Sequence, residues 1–231
     1  MLRRTFHQAA ISALLLAATR QAHALSLGDL SGADASNGLK AALGQGAQAA
    51  VALLGQTDGF LGNPKVRIPL PGHLDDAAQL LRKFGQGKRI DELVTSINRA
   101  AEAAVPLGKD ILVQAVQSMS VTDAKNILTG GDTSVTEFFV TKTRAPLSER
   151  FLPVVNKATE NVGLTQKYNA FAGKAASFGL LKPEESNLAG YVTGKTLDGL
   201  FFMIGEEERK IRQNPAGAGS AVLQRVFGAL R

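Results

Sequence analysis

The sequence predicts an all-α fold: a single-domain irregular helical bundle crossed by one extended proline-rich segment at about residues 62–71. Three observations predict it. Apolar residues recur at helical spacing along most of the chain. The loops between those runs are short and punctuated by Gly and Pro, which argues for one domain. One stretch, Phe60 to Gly72, is incompatible with a helix: Pro64, Pro69 and Pro71 lack a backbone donor, fix φ and push the preceding residue towards extended geometry. Between these prolines, Lys65, Val66, Arg67 and Ile68 alternate polar and apolar. Val66, Ile68 and Leu70 are expected to point into the bundle, leaving Lys65 and Arg67 as the candidate partner contacts.

The N-terminal residues read as an export signal. Arg3 and Arg4 precede a short apolar run from Ala9 to Ala18, and Ala22-His23-Ala24 has the small-x-small cleavage pattern. The expected cleavage after Ala24 leaves 25–231 as a periplasmic, 207-residue helical domain. Arg3-Arg4-Thr5-Phe6 resembles a twin-arginine address, and an ordinary secretory signal fits equally. Residues 1–24 carry Arg3, Arg4 and Arg20 and no acid, so their removal lowers the net charge from +6 to +3. No block of like charge remains for nucleic acid to read.

There is no cysteine, which excludes thiolate chemistry and a lipid-modified cysteine. Of the three histidines only His73 follows the predicted signal, in a position suited to opening a helix. Neither a metal site, nor a cofactor, nor a catalytic residue emerges from these side chains. No segment after the signal is apolar enough to predict a membrane span.

In chain order, Asp34 is a candidate cap for a helix to about Leu54, with Leu39, Leu43, Ala47, Ala50, Val51 and Leu54 on one face. Asp75 to Phe84 predicts a short helix. Ile90, Leu93, Val94, Ile97, Ala101 and Ala104 mark the next, and Pro106 kinks it or starts another that continues to Met119. Ser120-Val121-Thr122-Asp123 resembles a capping box with Asp in place of Glu. Asp132 or Thr133 is expected to cap a helix containing Phe138 and Phe139; the β-branched run Thr133–Thr143 would also suit a strand. Helices follow at about Leu147–Val162, kinked by Pro153 or starting nearer Leu152, and at Leu164–Leu181. The longest candidate is Leu188–Arg212, and Ala216–Leu230 closes the chain.

In the Leu188–Arg212 helix, Glu208 falls within the apolar stripe of Leu197, Leu200, Phe201, Ile204 and Ile211. A lone buried carboxylate is expensive. Glu208 and Arg212, one turn apart, therefore form a candidate structural ion pair. Glu206 and Glu207 read as a solvated face, and Gly190 with Gly194 as a close-packing pair.

Three stretches, Asn63–Pro71, Asp123–Gly130 and Tyr191–Pro215, stand in the same order as in one family. Across nearly all of the chain after the signal, the sequence resembles the bacterial exported proteins grouped as domain of unknown function 4197. The resemblance implies an exported, mainly helical single domain and carries no activity, ligand or catalytic residue. Two functional classes remain. One is a non-enzymatic periplasmic binding or envelope-interaction protein, taking an envelope protein on Lys65 and Arg67 or an apolar small molecule between Ala- and Gly-rich helices. The other is a cell-wall glycan hydrolase or lytic transglycosylase-like enzyme, resting on the Glu185-Ser186 dipeptide. The absence of Trp and the presence of only Tyr168 and Tyr191 leave few aromatic platforms for a sugar, which favours the first class.

Overall fold

A computed structural model describes residues 32–71, 82–85, 87–160 and 187–214, together with Ala78, Thr165, Gln166, Asn169 and Ser177. Most of the expected helices at Leu164–Leu181 and Asp75–Phe84, the whole of the one at Ala216–Leu230, the export signal, His73, and Glu185-Ser186 lie outside the described residues.

The described chain is all-α, with no strand. Its elements in order are α1 (Gly32–Leu54), α2 (Gly87–Ala104), a 3-10 turn at Val105–Gly108, α3 (Lys109–Gln117), α4 (Val121–Thr129), α5 (Ser134–Glu160) and α6 (Leu188–Gln213). Helix α1 starts at Gly32, so Asp34 lies inside its first turn rather than at its cap. Its buried stripe of Leu39, Leu43, Ala47, Ala50 and Leu54 follows the predicted spacing. Pro106 sits at the start of the 3-10 turn, where its missing N–H has no helical partner to lose. At Ser120 the capping box forms in full: the Asp123 amide donates to the Ser120 hydroxyl at 3.0 Å, and the Ser120 amide donates to the Asp123 carboxylate at 3.0 Å.

Helix α5 settles the Thr133–Thr143 alternative in favour of helix and joins two expected helices into one of 27 residues. Pro146 and Pro153 do not end it. They stand seven residues apart on the exposed face, where the carbonyls that lose a partner meet water, while Leu147, Phe151 and Val155 face the core.

Helices α5 and α6 form the most extensive pair; α2 packs on α5, and α1 on α3 and α6. Phe60, Phe139 and Phe151 are the bulkiest fully buried side chains, and each contributes about 1.5–3 kcal/mol through burial. Helix α6 is buried on nearly all sides from Leu188 to Ile204, which makes it the axis of the bundle.

Between α1 and α2 the chain turns repeatedly over residues 57–66 and becomes extended from Arg67 to Pro71. The extended portion is thus shorter than the sequence suggests. Val66 and Arg67 both donate to the Asn63 carbonyl, closing a turn that starts the strap. From there Val66, Ile68, Leu70 and Pro71 are buried, whereas Lys65, Arg67 and Pro69 are exposed.

Candidate functional site

The strap lies between α2 and α6 and runs antiparallel to both. Along α2, Glu102 meets Phe60 and Leu61, Asn98 meets Ile68, and Ile90 and Val94 lie beside Leu70. Along α6, Glu206 meets Lys65, Gly199 meets Phe60 and Val66, and Tyr191 meets Pro69. Along α2 rising numbers from Phe60 to Leu70 match falling numbers on the helix; along α6 the same holds from Lys65 to Pro69, with Phe60 folded back beside Val66 at Gly199.

An extended segment inside a helical bundle has no neighbouring strand, so its buried amides and carbonyls need other partners. Asn98, fully buried, supplies them. Its Oδ1 accepts from the Ile68 amide at 2.8 Å, and its Nδ2 donates to the Ile68 carbonyl at 2.9 Å and to the Val94 carbonyl at 2.8 Å. The side-chain amide thus reproduces the donor–acceptor pair that a β-strand would offer. The Tyr191 hydroxyl donates to the Pro69 carbonyl at 3.1 Å.

One turn along α2, the buried Glu102 accepts from the Phe60 and Leu61 amides at 3.0 and 3.1 Å through Oε1. Its other oxygen accepts from Arg99 at 2.6 Å, and Arg99 also donates to Asp58 at 2.7 Å. Asp58 has a φ of 65°, a left-handed conformation that aspartate tolerates better than most residues, and the Arg99 contact holds it there. Gly199 admits the close approach on the other side: a Cβ there would stand 2.8 Å from the Phe60 ring.

These anchors leave two side chains facing out. The Lys65 ammonium pairs with Glu206 at 2.6 Å and lies 6.0 Å from the centre of the Phe202 ring, itself 42% exposed. Among the described residues Arg67 has no carboxylate within 4 Å, and it forms the crest between two surface grooves of about 330 and 370 Å³. The first runs along α6 past Lys195, Asp198 and Phe202; the second runs over Ile90 and Val94 of α2. Near the second groove, Arg82 hydrogen-bonds Asp91 at 2.5 Å. That bond, with the Arg82 charge and the weaker field of Arg67, holds the Asp91 carboxyl below its usual range.

Glu208 and Arg212 lie elsewhere, where α6 crosses the start of α5. Arg212 Nε donates to Glu208 at 3.0 Å, and Nη2 donates to the Ser134 hydroxyl at 2.7 Å and the Ile127 carbonyl at 3.2 Å. Glu208 also accepts from the Val135 and Thr136 amides, each at 3.2 Å. It satisfies the first-turn donors of α5 from another helix, while the Thr133 hydroxyl donates to Glu137 instead. Glu206 and Glu207 are not a solvated face: Glu206 bonds Lys65 and Arg209, and Glu207 bonds Lys210. At Gly194 a Cβ would meet no described atom within 4 Å; the close approaches on α6 fall at Gly199, against Phe60, and at Gly205, against the Thr136 hydroxyl.

Sequence reasoning passed over Asn98, Arg99 and Glu102. A signal was present, because Asn98 sits one turn from both Val94 and Ala101 on the apolar face of α2, with Glu102 one turn beyond. Polar residues at those positions need a partner, by the same logic that singled out Glu208.

A family model described as "Protein of unknown function (DUF4197)" matches residues 29–228, nearly the whole chain. The chain belongs to this DUF4197 family. The match spans the strap, the capping-box stretch and α6. No curated protein and no solved structure matches the chain. Among the described residues no group of three or more His, Cys, Asp or Glu side chains is arranged to hold a metal ion. No described helix is long and apolar enough to cross a membrane.

Proposed function

We propose that this DUF4197 protein is a non-enzymatic binding protein, exported to the periplasm, which contacts another envelope component through the outward face of its strap. The observation that carries this reading is the contrast between the two sides of residues 65–70. The inner side is locked by Asn98 at Ile68 and Tyr191 at Pro69, and Glu102 fixes the turn before it at Phe60 and Leu61. The outer side presents Arg67, with no carboxylate within 4 Å among the described residues, and the half-exposed Phe202 beside it. A rigid backbone loses little freedom on binding, so side chains displayed on it are preorganised for a partner.

The test places a photo-crosslinking amino acid at position 67 in cells, with position 157 on the exposed face of α5 as control. A discrete crosslinked species at 67 that is absent at 157 is expected. The double variant Lys65→Ala/Arg67→Ala should abolish that species while keeping the helical circular dichroism. An identical pattern at both positions, or recovery of the protein from the cytoplasm alone, overturns the reading.

A further inference from the structure

We infer that the groove between the strap and α6 receives an acidic protein segment, recognised through its side chains and not by strand addition. The inference rests on the binding reading above and names the partner's chemistry.

The backbone argument comes first. A protein edge that recruits an extended peptide does so with free N–H and C=O groups. Here Pro64, Pro69 and Pro71 have no N–H, both Ile68 groups are taken by Asn98, and the Pro69 carbonyl is taken by Tyr191. With the Lys65, Val66 and Arg67 amides also turned onto Asn63, the strap is extended yet offers almost no N–H for another strand to pair with, so recognition falls to side chains.

Those side chains are cationic around an apolar floor. Lys65, Arg67 and Lys195 border the groove against one carboxylate, Asp198. That carboxylate is already bonded by Arg144 at 2.8 Å and approached by Lys195 at 3.9 Å. Glu206, the partner of Lys65, is only 16% exposed and is shared with Arg209. The charge left for a visitor is positive. Lys195 and Phe202, seven residues apart, span about 10 Å of α6, enough to pair a carboxylate at one end with an apolar side chain at the other.

Shape decides between a protein and a lipid surface. Arg67 stands as a crest between two grooves of about 330 and 370 Å³, and the apolar floor with Phe202 lies inside the first. A flat bilayer surface pressed on this face meets the crest alone, whereas a polypeptide can lay a side chain into the groove and address Arg67 and Lys195 together.

Fluorescence anisotropy with a labelled peptide of alternating Glu and Phe, against its Gln-for-Glu counterpart, tests the inference on the purified protein. The acidic peptide should bind at least about ten-fold tighter and lose that advantage as salt rises. Arg67→Glu and Lys195→Glu should each weaken it by about ten-fold or more, the scale of one charge-assisted hydrogen bond. Lys157→Glu should leave it unchanged, and all three variants should keep the parental melting temperature within a few degrees. Equal binding of the two peptides, or binding insensitive to Arg67→Glu, overturns the inference. So does preferential binding to phosphatidylglycerol vesicles. If the crosslink at position 67 persists in those cases, the partner is not an acidic protein segment held in this groove and the binding reading stands. If the crosslink is lost as well, both fall.

Discussion

Asn98 carries the conflict between a helical bundle and an extended segment within it. Its carboxamide serves the Ile68 N–H and C=O at once, a role no other side chain of similar size fills except glutamine at different reach. Asn98→Ala leaves both backbone groups buried without partners, each costing about 1–3 kcal/mol. The expected result is a loss of about 2–5 kcal/mol in chemical denaturation. Asn98→Asp should be no milder, because the carboxylate keeps the Ile68 amide but faces the Ile68 and Val94 carbonyls. Glu208 poses the same kind of problem with a charge. Glu208→Ala strips two first-turn amides of α5 of their acceptor and leaves the Arg212 guanidinium without its carboxylate partner. A loss of about 2–3 kcal/mol is expected, and Glu208→Gln should recover part of it, read from the same denaturation curves.

At the scale of elements, the strap's position depends on how closely it approaches α6. Gly199→Ala puts a methyl 2.8 Å from the Phe60 ring and 3.3 Å from Val66, and overpacking of this kind costs about 1–3 kcal/mol. Because the clash is with one ring, Phe60→Leu should relieve it. The double variant is then less destabilised than the sum of the singles, a coupling that a thermal double-mutant cycle reads directly. Helix α4 gives a pH-dependent prediction. The Ser120 hydroxyl and amide hydrogen bonds, aided by Lys142, hold the Asp123 carboxyl below its ordinary 3.8. A carboxylate whose pKa is lowered by folding adds stability that is full above the unfolded value and is lost as pH falls through the folded one. The melting-temperature gap between the parent and Asp123→Asn should therefore be constant near neutrality and close in acid, below the usual aspartate range. A gap that persists there would mean the capping box works through shape and not charge.

At the scale of the whole molecule, the strap behaves as core and not as a surface loop. Ile68 is 1% exposed and Phe60 fully buried, and both amides bond to α2 side chains that are themselves buried. The amides of Phe60, Leu61 and Ile68 should exchange with solvent only through near-global unfolding, as slowly as those in the middle of α6. Hydrogen-exchange mass spectrometry checks this, and fast exchange at 60–68 would reduce the strap to a draped loop.

Much of this architecture was legible because it is local. Helix faces follow from spacing, the capping box from Ser120 and Asp123 three residues apart, and the extended strap from proline chemistry that acts on immediate neighbours. Even the need for a partner at Glu208 followed from its place in an apolar stripe. Local rules misjudged α5, because Pro146 and Pro153 are tolerated only through their position on the solvent face. They were silent on Asn98 and Ile68, 30 residues apart, on Glu208 and Val135, 73 apart, and on Lys65 and Glu206, 141 apart. By itself, the sequence determined the helical faces of α1, α2 and α6, the segment that must extend, and the lack of any thiol. Only the tertiary structure decided which distant polar groups meet, because each such contact depends on how rigid helices pack, and side-chain spacing along the chain carries no record of that.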